Sequence, residues 1–337
     1  MCVASFQQLD LSNVYGLDNR TEGQLRAYKG GKLKSQLIND EEYPPFLADV
    51  SIPVEGLPEG AIALPNWFAV GKPFMNLLPG LALWSTIWLR EHNRVAEIMQ
   101  KAHPSWDDER IYQTTKIILL GRLLRIVVED YVEHLSGYKF NLLWDCELTQ
   151  DFIQYQTRAF YEFNLIYQFH SLSPDFHVIN KTVFDTGSLF YQPNLIIKYG
   201  TREMVKSSSV QIAGQLGLRN DGIWTIDVMK RVLNGSRAMG LQSYNNYRRR
   251  FGLHPYESFE ELTGEKELAA NLKELYGSVD AVEFLVGLQA ERVPEDAFFP
   301  LSYPLMIGAF ALFGVFGNEI CSPGWYRPHT FGGKVFI

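Results

Sequence analysis

The rhythm of hydrophobic and polar positions changes at Pro79-Gly80. Upstream, Pro44, Pro45, Pro53, Pro58, Pro65 and Pro79 interrupt every run long enough to coil, so residues 1–80 are predicted to be irregular. Downstream, Leu81, Trp84, Trp88, Val95 and Ile98 recur at helical spacing, with Arg90-Glu91-His92-Asn93-Arg94 in the middle of that helix. Ser105 before Trp-Asp-Asp reads as a capping signal. From it an amphipathic helix of about thirty residues is predicted to run to Gly137, a natural C-cap. A further helix, from about residue 151 to 171, sets Ala159, Phe160, Phe163, Tyr167 and His170 along one stripe, and Pro174 closes it. Shorter helices are predicted around 201–206, 222–234, 256–262, 265–276 and 278–284. Strand-like alternation is weak and no internal repeat is visible. The expectation is a mainly α fold: a large, irregular helical domain with few short strands and long connections.

Composition narrows this picture. A chain of 337 residues suits one large domain or two small ones, and 46% hydrophobic residues with 14% aromatics make it globular. A net charge of −7 argues against nucleic acid as a partner, and Arg248-Arg249-Arg250 reads as a structural or solvated face. Cys2, Cys146 and Cys321 are too few and too scattered to predict a disulfide framework or a zinc site. Asn19-Arg20-Thr21, Asn180-Lys181-Thr182 and Asn234-Gly235-Ser236 permit glycosylation without requiring it. The amino terminus lacks the basic start and apolar run of a signal peptide. The longest apolar stretches, Met75 to Leu89 and Leu305 to Phe316, fall short of a membrane span. Both ends are abrupt, and the expectation is a fragment of a larger protein.

Little of the usual catalytic vocabulary is present: no HExxH, GxSxG, Walker loop or dinucleotide fingerprint. The seven histidines (92, 103, 134, 170, 177, 254 and 329) contain no pair at metal-chelating spacing. His92, among charges mid-helix, reads as a hydrogen-bond or ion-pair partner. For His170 two readings stand. It is a capping or packed residue at a helix end, or it is the single strong ligand that haem iron needs, backed by an aromatic wall. A phenol three residues earlier, at Tyr167, suits the second reading, because haem iron can oxidise a neighbouring tyrosine to a radical.

Longer runs carry a resemblance. Leu77-Leu78-Pro79-Gly80 with Trp88-Leu89-Arg90-Glu91-His92-Asn93-Arg94-Val95 resembles the animal haem peroxidase superfamily, in particular its prostaglandin G/H synthase (cyclooxygenase) branch. So do residues 9–16, 130–138 and 247–252. Leu262-Thr263-Gly264-Glu265-Lys266-Glu267 and Asn318-Glu319-Ile320-Cys321-Ser322-Pro323 are the runs most specific to that branch. The similarity extends over nearly the whole chain, in order. It implies that residues 1–337 are the middle and C-terminal part of the catalytic domain, without the upstream EGF-like, membrane-binding and distal-haem segments.

The resemblance implies a haem-dependent fatty-acid dioxygenase and peroxidase with one haem b. His170 becomes the proximal iron ligand. Tyr167 becomes the radical residue that takes hydrogen from an arachidonate-like polyunsaturated fatty acid before O2 adds. Tyr131, Val132, Leu135, Ser136, Tyr138, Phe163, Ile166, Phe169, Ala309, Ala311, Leu312, Gly314 and Val315 become the acyl channel. It also implies a homodimer at the lumenal membrane surface of the endoplasmic reticulum, with membrane contact through a segment that lies outside these residues. Departures accompany it. Ala311 stands where the family has the serine that aspirin acetylates, Gln168 replaces a histidine of mammalian members, and Phe284-Leu285-Val286-Gly287 lacks the family's tyrosine near the haem. The distal histidine and glutamine belong to upstream segments, so the 337 residues alone are expected to be weak or inactive. Two other readings remain: a fatty-acid dioxygenase that forms no endoperoxide, and a non-catalytic protein that binds haem or a partner.

Overall fold

Among the described residues the proline-broken start of the chain forms short pieces: helices α1 (Ser12–Tyr15) and α2 (Asn19–Leu25), a hairpin of β1 (Gln36–Ile38) and β2 (Glu41–Tyr43), and 3₁₀ turns at Leu47–Asp49 and Pro73–Asn76. Asp18 caps α2 by accepting the Thr21 N–H at 2.8 Å. α3 (Pro79–Ala102) opens with proline at its first position, where no backbone donor is needed. α4 (Asp108–Arg125) starts after Asp107, whose Oδ1 accepts the Arg110 N–H at 2.8 Å, so the cap is Asp107 rather than the predicted Ser105. The helical path continues through a π-helical stretch, Ile126–Val132, into α5 (Glu133–Ser136). The predicted long helix is therefore present from Asp108 to Ser136, with a wider turn inside it, and its predicted cap, Gly137, lies outside the described residues.

After α6 (Tyr161–Ile166) come a second hairpin, β3 (Phe176–Ile179) with β4 (Thr182–Asp185), then α7 (Leu195–Tyr199) and α8 (Thr201–Ser209). The remainder is helical: α9 (Ile226–Ala238), α10 (Tyr244–Arg250), α11 (Phe259–Thr263), α12 (Lys266–Tyr276), α13 (Phe284–Ala290) and α14 (Ser302–Phe316). The helix predicted at 278–284 is instead a 3₁₀ turn, Val279–Ala281, ahead of α13. Among the described residues the fold is mainly α with two short hairpins.

This computed structural model describes residues 9–53, 63–136, 143–145, 160–295 and 297–321, which fall into two units. One comprises Leu9–Leu124 and Asp175–Gln211. Its core packs Tyr43, Phe68, Val70, Met75, Leu83, Ile179, Leu189, Ile196 and Met204 around α3. The buried residues of α3 include Trp88 and Val95 of the predicted stripe together with Ala82, Leu83, Ser85, Thr86, Leu89, His92, Asn93 and Ala96, while Trp84 and Ile98 of that stripe are 43% and 49% exposed. Polar residues belong on this face because loop backbone lies against it. Asn93 Oδ1 accepts the Leu33 N–H at 2.8 Å, and His92 Nε2 donates to the Gly31 carbonyl at 2.8 Å. That carbonyl can only accept, so His92 Nδ1 is bare and accepts from the Tyr15 hydroxyl, also at 2.8 Å. His92 is thus a hydrogen-bond partner, and burial pulls its pKa down to about 4. Gly31 is required there: its φ is +67°, and a Cβ would stand 2.5 Å from the Ile111 side chain.

The other unit comprises Arg125–Pro174 and Ile212–Cys321. Its core joins Leu165, Ile166, Tyr244, Phe284, Leu288, Phe299, Tyr303 and Met306. Within that core the Glu291 carboxylate accepts from Arg248 Nη1 at 2.9 Å, from the Tyr256 hydroxyl at 2.7 Å, and from the hydroxyls of Tyr244 and Ser302. One buried anion therefore ties the end of α13 to α10 and α14. The basic cluster is structural, as its sequence context predicts: Arg248 holds Glu291, and Arg249 holds Asp280 at 2.9 Å. Cys321 is disulfide-bonded, a bridge that the cysteine number and spacing do not announce. Among the described residues no helix is long and apolar enough to cross a membrane.

Candidate functional site

The segment that carries Tyr167 and His170 is anchored by apolar burial. Leu165 and Ile166 are fully buried, and they fix the short helix α6 against the core of its unit. Tyr167 is its C-cap, with φ −79° and ψ 16°, and the chain then leaves the helix. Gln168 bends back so that its Nε2 donates to the Asn164 carbonyl at 2.9 Å, satisfying a helix-end acceptor. Gln289 of α13 donates to the Gln168 carbonyl at 3.2 Å, and a 3₁₀ turn follows at His170–Leu172. The expectation that Tyr167 and His170 share one face of one helix is therefore corrected. A helix end and a tight turn bring them near each other. Residues 151–159, including Ala159 of the predicted stripe, lie outside the described residues.

Around Tyr167 the rings are dense. Its centroid lies 4.5 Å from that of Phe163 and 5.1 Å from that of Phe169, which in turn is 5.0 Å from Phe299. The Tyr167 hydroxyl is hydrogen-bonded to Tyr131, and burial, then Tyr131, hold its pKa well above the usual phenol value. Tyr167 is thus a neutral, enclosed phenol with its O–H engaged. Tyr131 and Val132 come from the π-helical stretch, a wider turn that recurs at functional positions in helices.

The remaining candidates divide. Leu135, Phe163, Ile166 and Phe169 belong to, or pack against, the core that contains Tyr167. On α14, Val315 is buried, Ala311 is half-buried and Ala309 is exposed. That helix meets α6 through Phe310, whose ring lies 5.6 Å from Phe160. Ser136, Leu312 and Gly314 lie on described backbone, and Tyr138 falls outside the described residues.

His170 sits beside groups that the sequence did not single out. Its Nδ1 lies 3.4 Å from Met229 Sδ, and burial pulls its pKa down while Asp221 pushes it up. Met229 and Asp221 line a cavity of about 390 Å³ with Leu218, Leu233, Leu285 and Val286. These two come from more than fifty positions downstream, and neither lies in a recognisable motif.

The sequence profile of the animal haem peroxidases matches residues 4–311. The chain belongs to the animal haem peroxidase family. It is 45% identical over 330 residues to prostaglandin G/H synthase 2 of Oryctolagus cuniculus, and 43% identical over 329 residues to prostaglandin G/H synthase 1 of Rattus norvegicus. In both cases the match takes in 97% of this chain and 54% of the relative, so this animal haem peroxidase chain spans about half the length of those proteins. Two solved structures share the fold. Peroxidase A of Dictyostelium discoideum superposes with a TM-score of 0.77 at 23% identity, over 95% of this chain and 65% of that one. Fatty acid alpha-dioxygenase of Oryza sativa also gives 0.77, at 20% identity, over 98% and 60%.

The residues around the cavity fit the haem that this family implies. A half-buried imidazole whose protonation burial disfavours touches Met229 of its lining, and Leu218, Ile226, Met229, Leu233, Leu285 and Val286 give that lining an apolar side, with Arg219, Asp221, Lys230 and Gln289 as its polar groups. Asp221 Oδ1 is sealed from solvent with no hydrogen-bond donor among the described residues, an atom that calls for a partner.

Proposed function

We propose that these residues form the proximal side of a haem-dependent fatty-acid dioxygenase and peroxidase. His170 is the ligand to the iron of one haem b, and Tyr167 is the radical residue. The observation that carries this reading is the pairing of an enclosed, hydrogen-bonded phenol with a half-buried imidazole three residues on, in a chain of this family. The names of the prostaglandin G/H synthase relatives support the substrate class, an arachidonate-like fatty acid with O2.

Bound haem supplies the one-electron oxidant. The chain's own residues do the rest. His170 presents a neutral imidazole, the form that can ligate, because burial disfavours its protonation. Tyr167 keeps its hydrogen until it is oxidised, because burial and Tyr131 suppress ionisation. The resulting phenoxyl regains a hydrogen atom from an allylic carbon of the substrate: the C–H bond breaks, the O–H bond re-forms, and O2 adds to the carbon radical. Phe163, Phe169 and Leu135 supply the apolar wall that an acyl chain needs. Homodimerisation and a position at the endoplasmic reticulum membrane follow from the same family reading.

The test is O2 uptake with arachidonate by the haem-loaded full natural polypeptide. Tyr167→Phe is expected to abolish uptake while leaving the haem spectrum intact. Equal uptake by both proteins would overturn the radical assignment, and analysis of the products separates endoperoxide from simple hydroperoxide.

A further inference from the structure

A loop far downstream in sequence is laced onto the turn that carries His170. The Gly214 N–H donates to the Leu172 carbonyl at 2.7 Å. Asn220 Nδ2 donates to the Ser171 carbonyl at 3.0 Å and to the Gln215 carbonyl at 2.7 Å. A Cβ on residue 214 would stand 2.5 Å from the Ser171 carbonyl oxygen, so the approach requires glycine. The lacing ends one residue before Asp221. This carboxylate lines the same cavity as Met229, the residue in contact with His170, and its Oδ1 is buried without a donor among the described residues.

We propose that Asp221 is the positioning residue of His170, its carboxylate taking the imidazole N–H on the nitrogen turned away from the haem. The inference rests on the haem reading of His170. An imidazole that ligates a metal through one nitrogen offers the other as an N–H donor, and that donor is commonly held by a carboxylate or a carbonyl. Met229 is a poor holder, because a thioether sulfur is a weak acceptor. Asp221 is the better one: an ionised carboxylate only accepts, and here it has a buried oxygen to spare. The bond fixes the tautomer and the ring plane, and it makes the imidazole a stronger donor to iron. No motif announces the pair. The laced loop at residues 214–220 creates it.

The test uses the haem-loaded protein and two readouts other than activity: haem affinity by absorbance titration, and the iron–histidine stretching band of the ferrous state by resonance Raman. Asp221→Leu is expected to weaken haem binding about 10- to 100-fold and to lower the frequency of that band. Asp221→Asn, which keeps size and one acceptor oxygen, lowers the band less, and it carries the test should the leucine variant not fold. Met229→Leu is expected to leave the band in place. An unmoved band with unchanged affinity in both Asp221 variants overturns the pairing. So does lower affinity with an unmoved band, which marks a purely structural role. His170→Ala separates the two claims. If that variant keeps the wild-type haem spectrum, the ligand assignment fails. If it loses haem while the Asp221 variants behave as wild type, only the pairing fails.

Discussion

Replacing Glu291 with leucine should be far more damaging than breaking any surface ion pair of this chain. The carboxylate is 3% exposed and the paired Arg248 side chain 10% exposed. Three hydroxyls also converge on Glu291. Leucine leaves the Arg248 guanidinium with its bond to the His254 carbonyl and its stacking on Tyr256, but without a counter-charge. Removing one partner of such a buried pair costs about 3–5 kcal/mol. The Tyr244 hydroxyl can fall back on Ser302, whereas Tyr256 loses Glu291 as its acceptor, adding roughly 1–3 kcal/mol. For a unit of this size, each 1 kcal/mol moves Tm by about 2–4 °C, so a loss of roughly 10–30 °C is expected. The assay is thermal and urea unfolding followed by circular dichroism, with Arg249→Met as control. That control breaks the Arg249–Asp280 pair, whose side chains are 47% and 58% exposed, and should cost less than about 1 kcal/mol. The reasoning is refuted if Glu291→Leu costs no more than Arg249→Met. Because Glu291 follows directly on α13, which contributes Leu285, Val286 and Gln289 to the cavity beside His170, haem retention should fall with stability.

Further outcomes follow from the same contacts. His92 has a folded-state pKa near 4, against 6.5 when unfolded, so its neutral form stabilises the fold fully above pH 6.5. That contribution, about 3 kcal/mol at 1.36 kcal/mol per unit, is lost as pH falls from 6.5 towards 4. Urea melts at pH 7 and pH 5 should differ in wild type and converge in His92→Gln, and a pH-independent wild type would contradict the linkage. Gly287→Ala places a Cβ 2.2 Å from the Tyr244 ring, and overpacking of that kind costs about 1–3 kcal/mol or more. An unchanged melt for that variant would mean that α10 and α13 yield freely. Tyr131→Phe removes the hydrogen-bond partner of Tyr167, so the Tyr167 phenol should titrate closer to its ordinary value by ultraviolet difference spectroscopy. No change would place the hydroxyls out of contact.

Much of the architecture was legible because local chemistry and tertiary structure agree. The Leu262–Glu267 run sits where α11 ends in Gly264, at φ +65°, and α12 begins, a junction that needs glycine and predicts itself. Other features were legible only as residue types. The stripe predicted for α3 holds at the buried Trp88 and Val95 but fails at Trp84 and Ile98, because hydrophobicity alone does not foresee that Asn93 and His92 will satisfy loop backbone. Helical spacing linked Tyr167 with His170, yet α6 ends at Ile166 and a turn does the work. The π-helical stretch that contains Tyr131 is not foreseen from periodicity, which predicts one continuous helix there. Asp221 and Met229 could not be found at all, because their proximity to His170 exists only after the chain has folded.

The central claim, that His170 holds haem, is tested most directly by adding haem to the wild-type protein and to His170→Ala and recording the Soret band. The account predicts that wild type takes up haem with a shifted, saturable band and that the alanine variant, folded by circular dichroism, does not. Identical spectra and affinities for the two proteins would contradict it.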